Sequence, residues 1–192
     1  MGRFLKSGGM VIGITGVLLG MALVLGAEQL DRLTTTEAFC ASSCHSMQAY
    51  LADEPTYKNS IHRTTSSGVQ AGCADCHIPK GLLPATWSHI IDGSRDLYGE
   101  LTNDYQQPEL WQARRVELAW RVRDKMLADD SRNCRACHTR EIVPTQRPRG
   151  QRQHELAQRE KISCIGCHFN LVHAEVKPRQ GFLDKVRIDI QP

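Results

Sequence analysis

The sequence predicts a mainly α-helical protein with much irregular structure, in which one N-terminal transmembrane helix precedes a compact domain. Three observations carry that expectation. Residues 7–27 contain no charged side chain. Helical periodicity recurs between residues 85 and 128. Eight cysteines fall into four close pairs, and each second cysteine is followed at once by histidine.

The run SGGMVIGITGVLLGMALVLGA at 7–27 spans roughly 31 Å as a helix, matching a bilayer hydrocarbon core of about 30 Å. Arg3 and Lys6 precede it, and Glu28 and Asp31 follow. The positive-inside tendency leaves residues 1–6 in the cytoplasm and everything after Glu28 outside. A cleavable signal peptide is the competing reading, helped by Leu25-Gly26-Ala27. Its apolar core would be only about 7–15 residues long, so an uncleaved, single-pass anchor is expected. Gly9 and Gly13, and Gly16 and Gly20, are spaced four apart, which permits close helix approach in lipid and a homo-oligomer through this helix.

Residues 28–173 form the expected compact domain. Within it, 85–101 and 109–128 read as helices, the second with Val116, Ala119, Trp120, Met126 and Leu127 at helical intervals and Pro108 as its start signal. The segment PTQRPRGQRQ (144–153) reads as a basic loop. The tail, 174–192, has no cysteine or histidine and is expected to be loosely ordered. At 41% hydrophobic and 23% charged residues the chain as a whole is not of disordered composition. Its formal charge of +3 carries no nucleic-acid footprint. Aromatics make up only 6%, thin for a core built from side chains alone.

The cysteines explain how that core is completed. Cys73-Ala-Asp-Cys76-His77, Cys134-Arg-Ala-Cys137-His138 and Cys164-Ile-Gly-Cys167-His168 are all C-x-x-C-H. Two thiols at this spacing reach the two vinyl groups on one porphyrin edge, and the adjacent histidine is carried beneath the iron. A disulfide framework or paired zinc knuckles do not call for histidine after every second cysteine. The first site, Cys40-Ala-Ser-Ser-Cys44-His45-Ser-Met47, has one more residue between its cysteines. Four covalently held haem c groups are therefore expected, and their attachment requires export. Met47 either supplies a thioether ligand or packs against the porphyrin, so the axial choice between Met47 and His45 stays open. Four haems want up to eight axial ligands, and the chain has eight histidines. Beyond His45, His77, His138 and His168, these are His62, His89, His154 and His173.

Several segments together resemble one family: the anchor, TEAFC and CHSM around the first site, NSIH at 59–62, SGV at 67–69, SRDLYG at 94–99 and LVH at 171–173. The chain is similar, from the anchor to His173, to the NapC/NirT/NrfH membrane-anchored tetrahaem cytochromes. That resemblance implies a quinol dehydrogenase of the cytoplasmic membrane with its haem domain in the periplasm. Such a protein oxidises menaquinol or ubiquinol and passes electrons to a periplasmic reductase or cytochrome in anaerobic respiration. It also implies His62, His154 and His173 as distal haem ligands, Met47 at the first haem, and Asp96 as an acid on that haem's open side. The family often places a lysine or arginine six or seven residues before this acid. Here His89 and Ile90 stand there, and His89 can accept a quinol proton in its stead; a surface histidine or an axial ligand are its other readings. The C-x-x-x-C-H spacing also departs from the family pattern. Two other functions fit the same features: an anchored shuttle exchanging electrons only with other cytochromes, and a reverse relay feeding the quinone pool.

Overall fold

The computed structural model describes residues 2–139, 145 and 147–186, and among these there is no strand. The chain runs as α1 (Gly2–Thr34), α2 (Glu37–Ser42), α3 (His45–Tyr50), α4 (Pro55–Lys58), α5 (Cys73–His77), α6 (Leu82–Ser88), α7 (Ser94–Thr102), α8 (Pro108–Ala128), α9 (Arg132–Cys137), α10 (Pro148–Arg159), α11 (Cys164–Cys167) and α12 (Gln180–Val186). A π-helical turn, His89–Gly93, joins α6 to α7 without a break.

Helix α1 is the anchor, and its large apolar side chains from Met10 to Leu25 are exposed, as lipid contact requires. Gly9, Gly13, Gly16 and Gly20 meet no other part of the chain. The helix continues beyond the uncharged run for almost two turns, braced by an ion pair of Arg32 with Glu28 at 2.6 Å. Three consecutive threonines end it. Thr34, Thr35 and Thr36 donate their hydroxyls to the carbonyls of Leu30, Asp31 and Leu33 at 2.7–2.8 Å, satisfying acceptors that a helix end leaves orphaned. Thr36 then accepts from the N–H of Phe39 and caps α2. The anchor therefore passes into the first cysteine motif through a fixed turn.

Helix α8 is the strut of the domain. Pro108 starts it at a position where its missing N–H costs nothing. At its N-terminal end Trp111 stacks on Tyr50 with ring centres 5.2 Å apart, and Tyr105 meets Trp111 edge-on. Further along, Trp120 lies among Ile165, Val176, Phe182 and Val186, the main apolar cluster. Buried Arg123 on the same helix donates to the carbonyl of Phe169 at 2.6 Å and to Asn170 at 3.2 Å.

Two sequence expectations change here. The tail is not loosely ordered through its described residues: Val176, Phe182 and Val186 supply three members of that cluster, and Phe182 has no exposed surface. Phe182 and Val186 lie one helical turn apart on α12 and press the same face against Trp120. The basic segment 144–153 is helical from Pro148 onward, because proline fits the first position and the residues from Gln151 to Arg159, after a single glycine in the first turn, favour helix; residues 144 and 146 lie outside the described residues.

Truncating Phe182 to alanine removes the most buried side chain of the cluster. Phe182→Ala is expected to cost about 3–5 kcal/mol and to lower the thermal midpoint of the haem-loaded protein by roughly 10 °C. Thermal unfolding followed by far-ultraviolet circular dichroism checks it, with Gln180→Ala on the exposed side of the same helix as the neutral comparison.

Candidate functional site

Each regular C-x-x-C-H motif sits on a single helical turn, in α5, α9 and α11. Residues three apart on a helix are neighbours, so both thiols of a motif point to one side. The first motif is built differently. Cys40 belongs to α2, which ends at Ser42, and Cys44 is the extended residue that precedes α3 and caps it. Its extra residue is absorbed by breaking the helix between the two cysteines.

The four motifs adjoin in chain order. Helix α2, which carries Cys40, packs on α5, which carries Cys73. Asn133, beside the third motif, donates to the carbonyls of Cys76 and Ile78 in the second at 2.9 and 3.0 Å. Ser131 joins the third to the fourth: its hydroxyl meets that of Ser163 at 2.6 Å and accepts the N–H of Ile165 at 3.0 Å. Ser131 and Asp130 both take left-handed backbone with φ of 54°, an uncommon conformation outside glycine. This bend brings α9 against α11 so closely that Ser131 is fully buried. Between the first and second motifs stands Glu37, which accepts from Tyr57, from the N–H of Cys73 at 3.0 Å, and pairs with Arg63 at 3.6 Å. Burial pushes the Glu37 carboxyl up, but these three donors outweigh it and hold the group below the usual carboxylate range.

The histidines fall into facing pairs. His77 faces His173 with ring centres 6.2 Å apart, His138 faces His62 at 5.9 Å, and His168 faces His154 at 6.2 Å. An iron bonded to two imidazole nitrogens at about 2 Å each sets their ring centres about 6.3 Å apart. Each pair joins a motif histidine to one of the three that the resemblance names as distal. A porphyrin between the rings, tied to the adjacent thiols, fits this spacing. The buried Nδ1 atoms of His62 and His154 have no hydrogen-bond partner among the described residues. Burial and the facing His138 lower the pKa of His62, favouring the neutral imidazole that metal ligation needs. His173 has a dedicated orienter. Its Nδ1 lies 3.2 Å from Glu54, which also accepts the N–H of Ala174 at 3.0 Å. A proton on Nδ1 leaves Nε2 free for a metal.

The motifs fall into two groups along the sequence, within 40–77 and 134–168, and the ring pairs cross between them. His62 precedes the second motif yet faces the third, and His173 follows the fourth motif yet faces the second. The layout is therefore not that of two self-contained di-haem units, because ring partners are exchanged between the halves.

The first motif stands apart. The ring neighbour of His45 is Tyr50, edge-on at 6.3 Å. Met47 is half-buried on α3, one residue beyond Ser46. Helix α7 closes this motif: Glu100 accepts both the N–H and the hydroxyl of Ser46 at 2.8 and 2.7 Å. Asp96, one turn earlier, is held by Arg121 of α8 at 3.1 Å. Burial raises the Asp96 carboxyl, Arg121 draws it back, and Asp92 adds to the rise. Its side chain is still 63% exposed, so water screens most of this push. His89 is turned to the end of the anchor, with Nε2 3.2 Å from the Thr34 hydroxyl and Nδ1 3.4 Å from Asp31. Cys40 donates to the carbonyl of that same Thr34 at 3.7 Å. The first motif, His89 and the exit of the membrane helix thus share one small region.

Sequence reading found the cysteines and all the paired histidines but missed Glu54 and Arg121, and met Glu37 only as part of the TEAFC segment.

A family model of the NapC/NirT cytochrome c family, N-terminal region, matches residues 4–178. A probable tetrahaem c-type cytochrome of Nitrosomonas europaea is 41% identical over 175 residues, covering 90% of this chain and 72% of its own length. The denitrification system component NirT of Stutzerimonas stutzeri is 35% identical, with 83% and 79% covered. The c-type cytochrome NapC of Haemophilus influenzae is 35% identical, with 83% and 76% covered. No solved structure matches the chain significantly. The paired imidazoles, the thiols beside them and the apolar anchor agree with these relationships: the chain is a membrane-anchored multihaem electron-transport protein and belongs to the NapC/NirT cytochrome c family.

Proposed function

We propose that this cytochrome carries four haems, oxidises quinol at the exit of its membrane helix, and relays the electrons to a periplasmic redox partner such as a terminal reductase. The observation that carries this reading is the position of the first motif, joined to the end of α1 while the other motifs adjoin it in sequence order. The haems are held by thioethers at Cys40 and Cys44, Cys73 and Cys76, Cys134 and Cys137, and Cys164 and Cys167. The irons of the three regular sites are bound by His77 with His173, His138 with His62, and His168 with His154. At the first site Met47 and His45 are the candidate protein ligands, and no second histidine ring faces His45 among the described residues. Bound haem supplies one-electron redox capacity at each site.

Quinol oxidation releases two electrons and two protons, and the chain's own residues take the protons. Asp96 accepts one at its carboxylate, which Arg121 positions from α8. His89 accepts the other at Nε2 while its Nδ1 proton is directed at the Asp31 carboxylate. Both groups lie outside the apolar run, where water can carry protons away on the periplasmic side. The similarity to NirT, a denitrification system component, supports a respiratory setting, and this chain's partner is expected to be a soluble protein that docks over the third or fourth haem.

Two tests follow. In His62→Met, His154→Met and His173→Met, one haem in each variant should gain a thioether in place of imidazole. The potential of one haem should then rise while the covalent haem count stays unchanged, as read by spectroelectrochemical titration of the purified protein. In the second test a menaquinol analogue reduces the full-length protein. Asp96→Asn is expected to slow reduction by about 10²-fold without loss of haem; full-rate reduction removes the assigned role. Asp96 accepts a proton only when ionised, and Arg121 favours the ionised form. Arg121→Gln should therefore raise the Asp96 pKa and move the acid side of the pH–rate profile to higher pH.

A further inference from the structure

The continuous helical segment from α6 through the π turn to α7 is amphipathic in an inverted sense. Its inward side carries small and polar residues. Ala85 and Ser88 are buried, Asp92 is bound by Lys125, and Asp96 is bound by Arg121. Its outward side is apolar: Leu83, Trp87, Ile90, Leu97, Tyr98 and Leu101 recur at helical spacing and are all exposed. Leu83 is 81% exposed, Trp87 67% and Leu101 77%. A contiguous apolar strip of this length marks an interaction surface on a water-soluble domain.

The occupant is indicated by where the strip begins. Helix α6 packs on α1, and His89 at the join binds Thr34 and Asp31 at the last turn of α1. The strip therefore continues the exposed apolar surface of the anchor at the point where the anchor leaves the hydrocarbon. Its composition suits that depth, since Trp and Tyr favour the layer between acyl chains and headgroups. Lys80 and Arg95 flank it; they pair with Asp75 at 2.6 Å and Asp92 at 3.9 Å, and both stay about half exposed, within reach of lipid phosphates.

We propose that the outward face of residues 83–101 is seated in the interfacial layer of the same bilayer that α1 spans. The domain then meets the membrane along a second, surface-lying element, and its orientation is fixed against rotation about the anchor. This seat depends on the anchor alone and holds whatever the electron donor is.

The test uses the full-length, haem-loaded protein in phosphatidylethanolamine–phosphatidylglycerol nanodiscs. A benzophenone amino acid replaces Leu83, Trp87 or Tyr98, with Gln153 on the exposed side of α10 as the comparison position. Unchanged haem absorbance reports that each variant is folded, and reduction by the quinol analogue is measured on the same samples as a separate readout. After illumination, mass spectrometry is expected to find phospholipid adducts at all three strip positions, at least tenfold above Gln153. Lipid adducts no more abundant than at Gln153 overturn the proposal. Adducts to a second copy of the chain or to another protein in place of lipid also overturn it, and assign the strip to a protein interface.

Discussion

The distance at which two imidazoles can share one metal ion governs this structure more than any packing preference. Three pairs of histidine rings stand 5.9–6.2 Å apart, and two of them, His62 with His138 and His77 with His173, draw together segments far apart in the chain. His62 lies in a turn whose only backbone tie to the next motif is the N–H of Ala71 on its own carbonyl. His173 lies beyond the fourth motif, against the second. An iron held between each pair of rings would close a loop of chain, and a haem there would supply the apolar surface that the side chains lack. The cluster around Trp120 contains only five buried residues, a small core for a domain of this length. Bound haem would thus be as much a folding partner as a cofactor, and stability would be coupled to its attachment.

That coupling explains the density of polar clasps around the motifs. Ser131 with Ser163, Asn133 with the carbonyls of Cys76 and Ile78, and Glu37 with the N–H of Cys73 hold neighbouring motifs edge to edge. None is a strong bond on its own. Each fixes one motif against the next, and electron transfer along a relay depends on that separation. The left-handed turn at Asp130 and Ser131 belongs to the same economy, since it swings α9 against α11.

Much of this was legible in the residues. The uncharged run marked α1, although its helix goes on past Glu28 because the residues after it remain good helix formers until the threonines. Pro108 and the apolar period marked α8. The cysteine spacing marked every motif, because covalent attachment is local chemistry written in adjacent residues. The ring pairs were not legible as pairs, since which histidine meets which depends on how loops close. Glu54 and His173 are 119 residues apart, and nothing local marks that contact. The tail was misread for a different reason. Phe182, Leu183 and Val186 form one turn of an apolar face, too short a pattern to stand out beside the charged residues around it.

The first site carries the asymmetry on which the proposed direction of electron flow rests, because no second histidine ring faces His45 among the described residues. Low-temperature electron paramagnetic resonance with near-infrared magnetic circular dichroism on the fully oxidised, full-length protein tests this most directly, since it reports the axial ligands of each ferric haem. The account predicts three low-spin bis-imidazole haems and a fourth of different ligation. Four bis-imidazole haems, or fewer than three, would contradict it.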